Sequence, residues 1–314
     1  MFATTLLIGG SCMRNMRILC VLALVVGVFA QADVQSPAMV EPSGNYELDQ
    51  DWAELPAGEE FGAVSWVAID ARGFVHAFRR EGPIFNFDDH GKFLRSWGEG
   101  IAKWTHGLRV DHEGYIWATD GQGHQIKKFS AGGELLMTLG KYDVAGDGPD
   151  TFNRPTDVAV APNGNFYVSD GYGNSRVALF SKDGTFIKDW GTKGDAPGQF
   201  DTPHSVVIDP AGRVLVADRQ NDRVQIFDAE GTFLEQWTDL GRPYGLAIYD
   251  GKVFVADGVL GRVAIADLAT GKLVDVIEGA EMAHGIEVDP MGNVYVASNR
   301  GSSLKKFVLS KGSN

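Results

Sequence analysis

Three histidines stand at one position of an internal repeat, in every second copy of that repeat. The three copies read Thr105-His106-Gly107-Leu108, Pro203-His204-Ser205-Val206 and Ala283-His284-Gly285-Ile286. The copies between them have Ser65, Thr156 and Tyr244 at the same position. Three imidazoles with an open fourth position form the ligand set of a catalytic zinc site, and other divalent metals also bind such a set. We therefore expect these histidines to bind one metal ion, zinc; the alternative is a set of hydrated histidines in a central channel.

The repeat that positions these histidines consists of four short strands. Its third copy covers residues 155–191, with the turn signals Asn163-Gly164 and Asp183-Gly184 between apolar segments. Equivalent positions of successive copies lie 40 to 50 residues apart, and a four-stranded unit of that length is a propeller blade. The pattern predicts an all-β fold, a six-bladed β-propeller over residues 61–310. Six blades in a ring would place histidines of alternate blades around one axis.

The sixth copy supplies three strands and then the sequence ends. A ring with a missing strand would expose an unpaired sheet edge. We expect the N-terminal segment, residues 33–60, to close the ring with a strand at residues 46–48, beside residues 304–308.

Other features that recur across the blades have structural explanations. Tryptophan at the end of an outer strand predicts packing between blades, and aspartate at the end of a second strand predicts the capping of a turn. Long spacings after blades 2 and 3 predict surface loops at residues 142–152 and 192–200. We expect the loop of His124 to border the metal site. The tryptophans are Trp97, Trp190 and Trp237, and the aspartates are Asp120, Asp170, Asp218 and Asp257.

The first 32 residues have the pattern of a secretory signal peptide. Arg14 and Arg17 precede the apolar residues 18–30, and Ala30-Gln31-Ala32 fits the cleavage pattern. The apolar run is short for a membrane span. We expect a secreted or periplasmic protein without stable membrane association after cleavage, and an uncleaved anchor is the alternative. Both cysteines lie in this leader, so we expect no disulfide in the mature chain.

At this point the motifs indicate a family. The chain resembles NHL-repeat propellers and, among them, the peptidyl-α-hydroxyglycine α-amidating lyases, over about residues 61–309. The matching segments are residues 154–160 with 168–176, Gly198-Gln199-Phe200 with Pro203-His204-Ser205, residues 216–219, and Met282-Ala283-His284.

The resemblance implies a reaction and a role for each site residue. The three histidines would hold zinc, and Tyr172 would transfer a proton. Arg80 would stabilise charge beside that tyrosine, Met282 would line the pocket, and Arg219 would help to bind the substrate carboxylate. The reaction is the cleavage of an N-acyl- or peptidyl-α-hydroxyglycine to a primary amide and glyoxylate. A tyrosine has an unperturbed pKa near 10, so it needs a nearby cation to act as a base; we expect Arg80 close to its hydroxyl, which faces the zinc across a substrate-sized gap.

The chain departs from the family at a structural calcium site. The family has an aspartate directly after the third histidine, where this chain has Gly285. The backbone carbonyls of Val67 and Leu108 remain as calcium ligands that the resemblance implies.

These observations lead to three hypotheses of different classes. The first is an exported, monomeric, zinc-dependent lyase with a small-molecule or peptide substrate. The second is a non-catalytic NHL propeller that binds peptides or proteins. The third is a lactonase-like hydrolase similar to gluconolactonase-type propellers, which use a calcium site at the channel mouth. The formal net charge of −13 at pH 7 repels phosphate backbones, so we expect no nucleic-acid partner.

Overall fold

The computed structural model describes residues 40–300 and 303–310. The expected signal peptide, residues 1–32, lies outside the described residues. Within them the chain forms 24 strands in six four-stranded antiparallel sheets and one 3-10 turn, Arg219–Asn221. No helix of the described part is long and apolar enough to cross a membrane. The predicted six-bladed all-β propeller is confirmed.

Each of the first five blades uses four consecutive strands. Blade 1 has β2 (Val64–Ile69), β3 (Val75–Arg79), β4 (Ile84–Phe87) and β5 (Phe93–Trp97). Blade 2 has β6 (Thr105–Val110), β7 (Ile116–Asp120), β8 (Gln125–Phe129) and β9 (Leu135–Leu139). Blade 3 has β10 (Asp157–Val160), β11 (Phe166–Asp170), β12 (Arg176–Phe180) and β13 (Phe186–Trp190). Blade 4 has β14 (Pro203–Ile208), β15 (Val214–Asp218), β16 (Arg223–Phe227) and β17 (Phe233–Trp237). Blade 5 has β18 (Pro243–Tyr249), β19 (Lys252–Asp257), β20 (Arg262–Asp267) and β21 (Leu273–Ile277).

Blade 6 joins the two ends of the described chain. It has β22 (Ala283–Val288), β23 (Val294–Ser298), β24 (Ser303–Leu309) and, as its outer strand, β1 (Tyr46–Asp49). Tyr46 pairs with Leu309, and Leu48 pairs with Phe307. The predicted ring closure by the N-terminal strand is confirmed, and β1 covers the outer edge of β24.

Apolar side chains fill the space between neighbouring blades. The three outer-strand tryptophans each lie against a turn glycine of the following blade, at Gly133, Gly231 and Gly271. A Cβ atom on Gly271 would come within 2.2 Å of the Trp237 ring, so only glycine fits beneath that indole. The predicted role of these tryptophans in packing between blades is confirmed.

Candidate metal centre

A β-bulge on the innermost strand of its blade carries each of the three histidines. In β14 the pairing register shifts between Pro203 and Ser205, which leaves His204 as an extra residue. The register shifts in the same way at His284 in β22 and at His106 in β6. A bulge re-aims the side chain of the extra residue. We call the repeat position of these three histidines, and of Ser65, Thr156 and Tyr244, the axial position.

The structure brings the three imidazoles together. We call His106, His204 and His284 the histidine layer. Their ring centroids lie 4.6, 4.9 and 4.8 Å apart, and their candidate ligand atoms all lie within 4.8 Å of one another. All three side chains are fully buried. The Nε2 atom of His284 is buried without a hydrogen-bond partner, so no protein donor uses its lone pair.

Backbone carbonyls of the three blades without axial histidines hold these imidazoles in place. Each Nδ1 donates to the carbonyl of the axial residue in the next blade; the pairs are His106 with Thr156 at 2.6 Å, His204 with Tyr244 at 2.6 Å and His284 with Ser65 at 2.8 Å. Since a carbonyl oxygen only accepts hydrogen bonds, Nδ1 carries the proton and Nε2 keeps its lone pair. The axial residues without imidazoles therefore orient the three histidines, a role that their side-chain types did not indicate.

Burial also keeps the histidine layer neutral. It lowers the pKa of each imidazole well below the usual value, and it is the largest cause in all three cases. The guanidinium groups of Arg80 and Arg219 lower the pKa values of His106 and His284 further, and Arg219 does so for His204. Three neutral, oriented and buried imidazoles with convergent Nε2 atoms fit a zinc ion.

The hydroxyl of Tyr172 lies directly against this layer. Its Oη is 3.1 Å from Nε2 of His106 and 2.9 Å from Nε2 of His204. The sequence analysis expected a substrate-sized gap between this hydroxyl and the metal site, and that expectation is wrong. The cause lies in the loop: a Cβ atom on Gly171 would come within 1.9 Å of the Pro203 carbonyl oxygen, so the chain before Tyr172 lies on the inner strand of blade 4.

The cation that contacts the Tyr172 hydroxyl is Arg219. Its Nη1 donates to Oη at 3.2 Å, and its Cζ is 5.1 Å from the ring centroid. Arg80 instead donates from Nη1 to the carbonyl of Thr105, and its Cζ is 4.4 Å from the Trp104 ring centroid. Burial lowers the pKa of Arg80 to about 10, and the electrostatic effect of Tyr172 opposes that shift. Arg80 is thus near the tyrosine, but the structure gives the hydrogen bond to Arg219.

Aspartates at the ends of the second strands hold the loops of this face. Asp170 and Asp218 immediately precede the segments of Tyr172 and Arg219. Their Oδ1 atoms accept the backbone N–H groups of Asn153 at 2.9 Å and Asp201 at 2.7 Å. Their predicted role as capping carboxylates is confirmed, and it fixes the loops from which both site residues project.

Met282 lies at the edge of the site. It stands two residues before His284 and has a left-handed backbone conformation, with φ +56°. Its side chain is 36% exposed.

A tryptophan that the sequence analysis missed lies under the histidines. Trp66 is fully buried, and its ring centroid is 6.0, 6.4 and 5.8 Å from those of His106, His204 and His284. It follows the axial residue Ser65, at a position where three other blades have glycine. The contrast between this tryptophan and those glycines was the sequence signal that could have identified Trp66.

Beneath Trp66 a single guanidinium connects the blades. Arg109 of blade 2 lies with its Cζ 5.2 Å from the Trp66 ring centroid in blade 1. We call Arg109 and its hydrogen-bond partners the arginine layer. The partners are Asp157 of blade 3 (3.1 and 2.7 Å), the Ser205 hydroxyl of blade 4 (3.2 Å), the Leu246 carbonyl of blade 5 (3.2 Å) and Glu287 of blade 6 (3.2 Å). Arg109 thereby contacts all the other five blades.

The arginine layer does not fit a calcium ion. Leu246, whose carbonyl accepts the guanidinium, has the same repeat position as Val67 and Leu108, the ligands that the family resemblance implied. A Cβ atom on Gly285 would come within 2.7 Å of the Trp66 Cα, so the family's aspartate has no room. The carboxylates of this layer are already paired with a cation, and a calcium ion here would be repelled by the guanidinium.

Comparisons with known proteins agree with this architecture. The NHL repeat matches residues 152–180 and 200–227. A probable peptidyl-α-hydroxyglycine α-amidating lyase of Caenorhabditis elegans is 29% identical over 92% of this chain and 98% of its own. NHL repeat-containing protein 3 of Mus musculus is 32% identical over 84% of each chain. Peptidyl-glycine α-amidating monooxygenase B of Xenopus laevis is 35% identical over 76% of this chain, which spans 31% of that relative.

Solved structures share the fold at lower identity. A gluconolactonase from Xanthomonas campestris has a TM-score of 0.65 and 16% identity, over 88% of this chain and 99% of that one. Such a likeness concerns the architecture alone. With the repeat match and the full-length relatives, the chain belongs to the NHL-repeat β-propellers, among which it resembles the peptidyl-α-hydroxyglycine α-amidating lyases.

Proposed function

We propose that this protein is an exported, zinc-dependent carbon–nitrogen lyase. Its substrate is an N-acyl- or peptidyl-α-hydroxyglycine, and its products are a primary amide and glyoxylate. The observation that carries the proposal is one hydrogen-bonded group: the Tyr172 hydroxyl, in contact with Nε2 of His106 and His204 and with the Arg219 guanidinium. The relatives named as amidating lyases support a lyase.

The reaction moves one proton and breaks one bond. The substrate hydroxyl loses its proton, its oxygen forms the aldehyde of glyoxylate, and the C–N bond breaks with its electron pair going to the amide nitrogen. That nitrogen takes up a proton to give the primary amide. Zinc, when bound, makes the substrate hydroxyl more acidic.

Tyr172 is the residue that we propose moves the proton. Its oxygen lies against the Nε2 atoms of His106 and His204, which would hold zinc, and Arg219 donates to that oxygen. In this proposal the tyrosine oxygen takes the proton of the substrate hydroxyl and returns it to the amide nitrogen, as a general acid–base does.

The arginines have separate roles in this proposal. Arg219 has a buried Nε without a hydrogen-bond partner, which leaves a donor for the substrate carboxylate. Arg80 holds the carbonyl of Thr105, the residue before His106, and adds positive charge to the site. Met282 lines the approach to the histidine layer.

Metal analysis and glyoxylate assays test the function together. Purified protein should contain about one equivalent of zinc and should release glyoxylate from α-hydroxyglycine compounds. Protein that holds zinc but releases no glyoxylate from any of them would remove the lyase and favour a binding module. Calcium without zinc would instead favour the lactonase-like hydrolase.

Export rests on the leader sequence. Arg14, Arg17 and the apolar residues 18–30 support a cleaved signal, and Ala32 would be the last residue removed. Sequencing the N-terminus of protein recovered outside the cytoplasm tests this, and an intact leader would favour the membrane anchor. We further propose a monomer, which light scattering of the purified protein tests.

A further inference from the structure

Arg154 lies beside the proposed site and is assigned no role there. Its Cζ is 5.5 Å from the ring centroid of Tyr172 and 5.9 Å from that of Trp104. The side chain is exposed, and it forms no ion pair with any carboxylate of the described residues. The guanidinium therefore faces solvent at the edge of the site with its charge uncompensated.

Two hydrogen bonds connect the backbone of Arg154 to residues of the site. Its N–H donates to Nδ1 of His124 at 3.0 Å, and its carbonyl accepts the N–H of Tyr172 at 3.3 Å. His124, expected to border the metal site, thus does so through Arg154. These two bonds fix where the side chain begins relative to the reacting groups.

The same repeat position elsewhere shows what an arginine does there when it has a partner. Arg242 precedes Pro243 as Arg154 precedes Pro155, and it binds Asp222 at 2.6 and 3.2 Å. The cation next to Trp104 in the sequence, Lys103, is likewise paired, with Asp143 at 2.7 Å. In a chain with a net charge of −13, an arginine without such a partner is a local attraction for an anion that the overall charge repels.

On the basis of the proposed function, we propose that the substrate has a second carboxylate, on the residue that precedes the hydroxyglycine, and that Arg154 binds it. In the proposed function Arg219 binds the α-carboxylate, and Nη1 of Arg80 donates to the Thr105 carbonyl. A guanidinium presents parallel N–H donors that match a carboxylate, and contact with two aromatic rings restricts its motion before binding. The substrate class is therefore a peptide or acyl group that ends in an acidic residue before the hydroxyglycine.

A matched pair of substrates tests this. N-acetyl-glutamyl-α-hydroxyglycine and N-acetyl-glutaminyl-α-hydroxyglycine have the same shape and differ in one charge. The wild-type enzyme should prefer the glutamyl compound by about 10-fold in kcat/KM, as expected for one partly exposed charge-assisted contact. Arg154→Gln should reduce that preference to near unity, and Arg242→Gln, the matched control, should retain it.

Three results would overturn the proposal: no preference in the wild-type enzyme, a preference that survives Arg154→Gln, or an equal loss in Arg242→Gln, which would indicate a general charge effect. If the protein releases no glyoxylate at all, the proposed lyase activity is rejected, but the role of Arg154 in binding a second carboxylate can still be tested. The unreactive N-acetyl-glutamyl-glycine and N-acetyl-glutaminyl-glycine can then be compared by calorimetry, and equal affinities of the wild-type protein for the two would reject it.

Discussion

The histidine layer and the arginine layer are neighbours in one channel, on either side of Trp66, and they differ in how completely their polar atoms are satisfied. In the arginine layer, Nε, Nη1 and Nη2 of Arg109 all donate to protein acceptors. In the histidine layer, Nε2 of His284 has no partner. This Nε2 belongs to the group of three imidazoles whose ligand atoms lie close enough to hold one metal ion, so it is available as a ligand atom. The comparison separates the layer proposed to bind and react from the layer that connects the blades.

The largest effect should come from removing a metal ligand. His284→Ala removes an Nε2 that has no other partner, so zinc binding and glyoxylate release should fall below detection. The propeller should remain folded, since its stability comes from packing between blades. Metal analysis, activity and circular dichroism check this. Retained activity at wild-type zinc content would place the metal elsewhere.

Tyr172→Phe separates chemistry from metal binding within the histidine layer. The loss of a proton-transfer group should lower kcat by about 10²–10⁴-fold, while zinc content stays at the wild-type level. Steady-state kinetics and metal analysis provide the two readouts. A kcat close to the wild-type value would remove Tyr172 from the reaction.

Substitution in the arginine layer should lower the free energy of unfolding. Arg109→Ala leaves the buried Asp157 and the partly buried Glu287 without their cation, and breaking a buried pair costs about 3–5 kcal/mol of the free energy of unfolding. Arg72→Ala is the control, because its ion pair with Asp70 is at the surface and should contribute at most about 1 kcal/mol. Urea unfolding measures both. Equal effects of the two substitutions would show that the arginine layer does not connect the blades as described.

The smallest effect should come from calcium chelation. With Arg109 as the cation of its layer, a calcium-selective chelator should leave the unfolding temperature unchanged. A zinc-selective chelator should lower it, because bound zinc stabilises the folded state by mass action. Thermal unfolding with each chelator distinguishes the two layers. A marked shift with the calcium chelator would contradict the fit described for Arg109.

Features that repeat could be predicted from the sequence. The four-stranded unit recurs six times, so its period identified the propeller, and the missing strand of blade 6 identified the closing segment. The histidines stood out because they share a repeat position. The structure adds the hydrogen bonds to the carbonyls of Ser65, Thr156 and Tyr244, which depend on neighbouring blades and on bulges that side-chain types do not reveal.

Features that occur once could not be predicted in this way. Trp66 and Arg109 have no counterparts at the same positions of the other blades, so the repeat pattern did not identify them as functional or structural residues. The contact between Tyr172 and the histidines depends on the close approach of Gly171 to Pro203. The same loop geometry decides that Arg219 rather than Arg80 donates to the tyrosine, and loop positions are set by tertiary contacts.

The closing strand has a consequence for the order in which this protein can mature. The hydrogen bond from His284 to the Ser65 carbonyl joins residues 219 positions apart, across the junction of blades 6 and 1. A growing chain carries His106 and His204 long before His284 is synthesised, and pairings between such distant residues form slowly. The third ligand gains its orientation only when blade 6 meets blade 1. For the metal ion proposed at this layer, capture at full affinity and completion of the ring would be a single late event, and an ion bound earlier would be held by two imidazoles.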